Sequence, residues 1–230
     1  MRDIPPVPDH EIELSGGALA LDFANTVGGT HVRPTHDHLR GYADILRFAV
    51  MAGGLDDDVA KRLTVRAQRE PMRAAAVYEL GIALREAVWA VFSALASGEA
   101  PRAADLALIG DAAAAGAARS RLVYDRDGVG WSLPSDRDDL ERPLWAIARS
   151  AADLLTSGDQ DRVKECASTT CEWVFLDKSR NRSRRWCDMS DCGNRAKARR
   201  FQAKKRAAVR PVQADDAAGT RASAGMIRSP

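Results

Sequence analysis

Cys166-Ala167-Ser168-Thr169-Thr170-Cys171 is answered, fifteen residues later, by Cys187-Asp188-Met189-Ser190-Asp191-Cys192, and these are all the cysteines of the 230-residue chain. Two Cys-x4-Cys pairs inside 27 positions read as four thiolates closing one tetrahedral zinc shell, each pair supplying two corners from a tight turn. Two disulfides, or four unrelated buried thiols, are the competing readings. Four sulfurs leave no coordination position for water, so the expected ion is structural rather than catalytic.

The residues between the pairs fit a small metal-centred module. Glu172-Trp173-Val174-Phe175-Leu176-Asp177 has the composition of a strand, Lys178 to Ser183 that of a polar turn, and Arg184-Arg185-Trp186 can return as a short strand. Such a hairpin would carry Cys171 to Cys187. Gly193-Asn194 is placed to cap a helix over residues 195–209, with Ala196, Ala203 and Ala207 as its small face and Phe201 as its anchor. Turn, hairpin, turn and helix make a treble-clef-like arrangement. It has little apolar surface to bury, so the metal is expected to supply much of its folding free energy. Trp173 and Trp186 could stack on bases; a place in the core beside the ion is the favoured expectation.

Charge concentrates on the same module. Residues 161–210 hold 15 Lys/Arg against 6 Asp/Glu, a net +9, whereas the rest of the chain holds 19 against 26, a net −7. An acidic body joined to a cationic element points to an anionic partner, with a solvated basic tail as the plain alternative. Arg180, Arg182, Arg184 and Arg185 in the hairpin, with Arg195 and Lys197 on the helix, are the candidate nucleic-acid contacts. The guanidinium fork suits phosphate oxygens.

Upstream, the periodicity changes several times. Ile12 and Leu14, then Leu19, Leu21 and Phe23, alternate about Gly16-Gly17 and are read as a short β-hairpin. Residues 28–38 are read as a loop. Helical spacing begins near residue 40 and continues over 56–69, 71–96 and 101–115, with Pro71 suited to a first turn and Gly98 to a stop. Arg121 to Leu133 reads as two strands joined at Asp127-Gly128, and 138–156 as a helix with Leu140, Leu144, Ile147, Ala151 and Leu154-Leu155 inward. The fold class is therefore α+β: a mostly helical N-terminal domain with short β-hairpins over residues 10–157, a small zinc finger over 160–208, and a disordered tail over 211–230.

Other chemistry is sparse. Asp22, Asn25 and Thr26 form a candidate ligand pocket, although Asp, Asn and Thr in a turn commonly satisfy their own backbone. His31, His36 and His38 lack a firm ligand spacing and are expected to be solvated. No Gly-rich phosphate loop or nucleophile motif is present, so the chain is not expected to be an enzyme. No apolar run approaches the ~20 residues that span a bilayer, and Met1-Arg2-Asp3-Ile4-Pro5-Pro6 has no signal-peptide core. A cytoplasmic location is the expectation, where thiols stay reduced and clustered cysteines favour metal.

The run Arg162-Val163-Lys164-Glu165-Cys166, the segment Cys171 to Arg180, Arg184-Arg185-Trp186-Cys187-Asp188-Met189 and Cys192-Gly193-Asn194-Arg195-Ala196-Lys197 together resemble a CGNR zinc finger. Leu21-Asp22-Phe23-Ala24-Asn25-Thr26-Val27 resembles the start of the ABATE domain that usually precedes it. The pairing spans roughly residues 10–207. It implies a bacterial protein of a family described as stress-induced transcription regulators, with one structural zinc on the four cysteines and DNA as partner. The N-terminal domain would then be a sensor or association domain, with a small-molecule effector as candidate ligand. An enzyme or small-molecule-binding protein with its site in residues 10–157, and an RNA- or protein-binding module, remain the alternatives.

Overall fold

A computed structural model describes residues 12–125, 128–134 and 138–209. Residues 1–11, the tip of the Asp127-Gly128 turn and the expected disordered tail over 211–230 lie wholly or partly outside these residues. The chain divides into two compact units, one ending at Gly193 and the other beginning at Asn194.

The first unit is built on helices α1 (Leu19–Ala24), α2 (Tyr42–Met51), α3 (Asp57–Arg69), α4 (Pro71–Ala96), α5 (Ala103–Ala117) and α6 (Arg142–Thr156). Three two-stranded antiparallel ribbons accompany them: β1 (Val27–Gly29) with β2 (Pro34–Asp37), β3 (Arg121–Asp125) with β4 (Gly128–Ser132), and β5 (Val163–Glu165) with β6 (Val174–Leu176). The second unit contains α7 (Asn194–Val209).

Local chemistry explains the long helices. α3 starts on Asp57 and Asp58 and ends on Arg66 and Arg69, matching the helix dipole at both ends. α4 opens with Pro71 and stops before Gly98, whose φ of +75° suits glycine. Ala74, Val77, Leu84, Val88, Val91 and Phe92 face inward from α4 and join Ile45, Phe48, Leu144 and Ile147 in one core. Gly81 lets α2 approach, because a Cβ there would stand 2.6 Å from Ile45 Cδ1.

Two N-terminal expectations are corrected. Leu19 to Ala24 is a helix, not the second strand of a hairpin. Ala20, Asp22 and Ala24 are buried along with Leu21 and Phe23. A short helix buried on nearly every side leaves no 3.6-residue stripe, and its large residues imitate a period of two. Residues 28–38 are not irregular throughout, since Val27 pairs with Asp37 and Gly28 with His36 in the β1–β2 ribbon.

The metal segment is corrected as well. β6 does not pair with Arg184-Arg185-Trp186. It pairs backward, Val163 opposite Leu176 and Glu165 opposite Val174. Lys178 to Trp186 instead loops around the buried Asp177 carboxylate. Its Oδ1 accepts the Ser179 amide at 2.9 Å, and its Oδ2 accepts the Arg184 amide at 3.0 Å and Lys164 Nζ at 2.7 Å. Lys164 also donates to the carbonyls of Arg182 and Arg184. Two strong charge-assisted centres thus outbid a second ladder.

Candidate metal centre and basic surface

Cys166 follows β5 directly, and Cys171 ends the turn that leads to β6. Their positions are tied by the Cys166 amide donating to Trp173 O at 2.9 Å and the Ala167 amide to Arg185 O at 2.9 Å. Cys187 leaves the Asp177-centred loop. Cys192 lies in the single wide turn Met189–Gly193, where the Asp188 carboxylate accepts the amides of Ser190 and Asp191. All four thiols are buried and free of disulfides.

Their four Sγ atoms lie within 4.8 Å of one another. Cys171 Sγ to Cys187 Sγ and Cys187 Sγ to Cys192 Sγ are both 3.7 Å. Zinc–sulfur bonds of about 2.3 Å give a tetrahedral sulfur–sulfur edge of roughly 3.8 Å, while a disulfide would need about 2.05 Å. The donor set therefore fits zinc. Hydrogen bonds with Cys171 and Cys187 pull the Cys166 thiol far down, while hydrogen bonds with Cys166 push the Cys171 and Cys187 thiols up. Neighbouring sulfurs cannot all ionise on their own, and a divalent cation supplies the charge that allows it. Phe175 shares this cluster, and Trp173 and Trp186 pack against it; the indoles belong to the small core, as expected.

The metal segment is also fastened to the helical body. Asn25 Nδ2 donates to Val174 O at 2.9 Å, and the Val174 amide donates to Asn25 Oδ1 at 3.0 Å. Trp173 Nε1 donates to Val27 O at 2.7 Å and Trp89 Nε1 to Glu172 O at 2.9 Å. Ser93 Oγ donates to Glu165 Oε2 at 2.6 Å. Val163, Val174 and Leu176 belong to the main core. Packing on the body therefore adds to whatever stability the ion provides.

Asp22, Asn25 and Thr26 come together as internal staples. Asp22 Oδ1 accepts the Gly16 amide at 2.7 Å, Thr26 Oγ1 donates to Phe23 O at 2.8 Å, and Asn25 spends its amide on Val174. All three are buried. Desolvation pushes the Asp22 carboxyl up to about 6, against the lowering effect of the Gly16 amide, Lys178 and Arg184. Among the histidines expected to be solvated, His38 is buried, and His31 is not solvated either. Its ring stacks on Trp89 with centroids 3.8 Å apart, and its Nδ1 lies 2.8 Å from Glu86 Oε2. Sequence spacing could not show this, because Trp89 and Glu86 lie on α4. Among the described residues the four cysteines are the one cluster with metal-binding geometry.

The basic candidates divide. Arg180, Arg182 and Arg185 are exposed on the body, Arg182 with a φ of +49°. Arg184 is turned inward: its guanidinium donates to Trp186 O at 3.0 Å, to Ser15 O at 2.9 Å and to Cys187 O, and lies 4.3 Å from the centre of the Phe175 ring. In the second unit, Arg195 and Lys197 are exposed on α7, and so are Arg199, Arg200, Lys204, Lys205 and Arg206. Phe201 is 71% exposed rather than an anchor.

No described helix is long and apolar enough to cross a membrane. Comparison with curated proteins gives no match. The profile of the CGNR zinc finger matches residues 162–205, covering all four cysteines. Residues 17–158, more than half of the chain, match the ABATE profile, described as "Putative stress-induced transcription regulator", and the chain belongs to that family.

Proposed function

We propose that the chain is a transcription regulator that binds duplex DNA through its C-terminal basic residues and acts by binding, not catalysis. The observation that carries this reading is α7. Over Asn194–Val209 it has seven Lys/Arg and no acidic residue, and all seven of those cations are exposed. Such a helix supplies the phosphate-neutralising charge that dominates nucleic-acid affinity. The exposed Phe201 ring beside these cations adds a surface on which a base can stack. Arg180, Arg182 and Arg185 are further candidates, now without Arg184.

In this reading the zinc holds Cys166, Cys171, Cys187 and Cys192 in one shell and supplies no reaction chemistry. The N-terminal domain serves as a platform or association domain; the polar atoms of Asp22, Asn25 and Thr26 are engaged internally, which favours a scaffold over an effector pocket there.

The test is a salt titration of duplex-DNA binding by the zinc-loaded chain, read by fluorescence anisotropy. Engagement of six phosphates gives a log–log slope of roughly −5. Replacing Arg199, Arg200, Lys204 and Lys205 with Ala should flatten the slope and weaken binding. Absence of duplex affinity at low salt would overturn the reading, and retained affinity for RNA alone would redirect it.

A further inference from the structure

The β3–β4 ribbon presents an unusual surface. Leu122 lies opposite Trp131 and Tyr124 opposite Val129, and alternation sets these four side chains on one face. They are 61%, 62%, 83% and 68% exposed, respectively. A lone two-stranded ribbon is marginal in water, and three or more strands with an apolar face are the stable form.

The edge of this ribbon has a defined polarity. A two-residue connection joins Asp125 to Gly128, which makes that pair the hydrogen-bonded closure of the hairpin. Alternation then turns the backbone N–H and C=O of Leu122 and Tyr124 away from β4. Among the described residues β3 has no other strand neighbour. Residues 122–124 contain no Pro, Lys or other charge of the kind that blunts exposed edges.

We propose that a second copy of this chain pairs on that edge, β3 against β3, antiparallel about a two-fold axis at Val123. This register brings the outward groups of Leu122 to those of Tyr124 in the other copy, and the reverse. All the free polar groups of the edge are satisfied at once. It also sets Arg121 opposite Asp125 of the second copy at both ends of the strand, an opposite-charge match that the strand makes with itself only in this register. A slip of one residue would place outward groups against inward ones, and a slip of two would lose the charge match. Leu122 and Tyr124 become cross-strand neighbours on the apolar face, a favourable pairing. The contact is self-complementary and closed, as a two-fold dimer requires. It stands whatever the nucleic-acid partner proves to be.

Sedimentation velocity of the full zinc-loaded chain, from sub-micromolar to high micromolar concentration, tests the dimer against the 24.9 kDa monomer. Leu122→Pro and Tyr124→Pro each delete an outward N–H without touching the β3–β4 ladder. Arg121→Glu and Asp125→Arg each place like charges opposite one another twice, and the double variant restores opposite pairs. The expected result is a wild-type dimer, loss of dimer in the proline variants, roughly tenfold weaker dimerisation in either charge reversal, and recovery in the double variant. Zinc content and far-UV circular dichroism check each fold; should the proline variants unfold, the charge swap decides. A wild-type monomer at every concentration overturns the proposal, and so does a dimer indifferent to the charge reversals.

Discussion

Asn25 and Val174, 149 positions apart, pair as two strands would: the side-chain amide of Asn25 both donates to and accepts from the Val174 backbone, at 2.9 and 3.0 Å. A side chain here substitutes for a missing strand, joining the C-terminal end of α1 to β6. Asn25→Ala leaves a buried N–H and a buried C=O without partners, which costs about 2–4 kcal/mol. Urea unfolding should show that loss while zinc remains at one per chain. Unchanged stability would mean that β6 is held by its apolar contacts alone.

Metal removal tests the other fastening. Cys187 Sγ is 3.7 Å from two of the other sulfurs, so Cys187→Ser withdraws the ligand around which the shell is arranged. We expect less than one zinc per chain, and altered tryptophan emission from Trp173 and Trp186, which pack on the cluster. Chelation of the wild-type chain should reproduce the emission change. Most far-UV helicity should survive, because the α2, α4 and α6 core does not include the cysteines. Complete loss of helicity on chelation would show that the body folds only with its metal.

The zinc ligands were legible because thiolate coordination demands particular residues at close spacing. The long helices were legible because α2 and α6 each keep an apolar stripe, and Pro71 and Gly98 mark the ends of α4. What the sequence hid was the use of polar side chains across long separations. Nothing near Asn25 announces Val174, nothing near His31 announces Trp89, and nothing in Arg184 separates it from its exposed neighbour Arg185. α1 was misread for a related reason: burial from all sides erases the periodicity by which a helix is recognised.

Asp22 and Asp177 should respond to pH in opposite senses. Burial raises Asp22 to about 6, above its unfolded value of roughly 4. The folded state therefore binds the proton more tightly, and stability falls as pH rises from about 4 to 6. Asp22→Asn keeps an acceptor for the Gly16 amide and removes this dependence. It should gain on the wild type through that window, by about 2 kcal/mol at neutral pH. Burial would also raise Asp177, but hydrogen bonds from Lys164, Ser179 and the Arg184 amide outweigh it and hold the carboxyl well below the usual range. Its stabilisation is complete above about pH 4 and is lost only in stronger acid. Asp177→Asn should thus be destabilised throughout pH 5–8 with little slope. Denaturation at matched free zinc across that range checks both, and parallel curves for wild type and Asp22→Asn would refute the Asp22 account.

Arg184 and Arg185 are adjacent in sequence and opposite in role. The Arg184 guanidinium satisfies the carbonyls of Ser15, Trp186 and Cys187 while covering the Phe175 ring. Arg184→Ala should therefore cost about 2–3 kcal/mol in unfolding free energy through the carbonyls it strands. The exposed Arg185 guanidinium lies 5.5 Å from the centre of the Trp186 ring, and Arg185→Ala should change stability by under ~0.5 kcal/mol. DNA affinity should separate them in the other direction. If Arg185 reaches a phosphate, its loss should lower the salt slope by about one, whereas folded Arg184→Ala protein should keep the wild-type slope. A reversed pattern, with Arg184 controlling the slope and Arg185 the stability, would mean that the loop around Asp177 rearranges when nucleic acid binds.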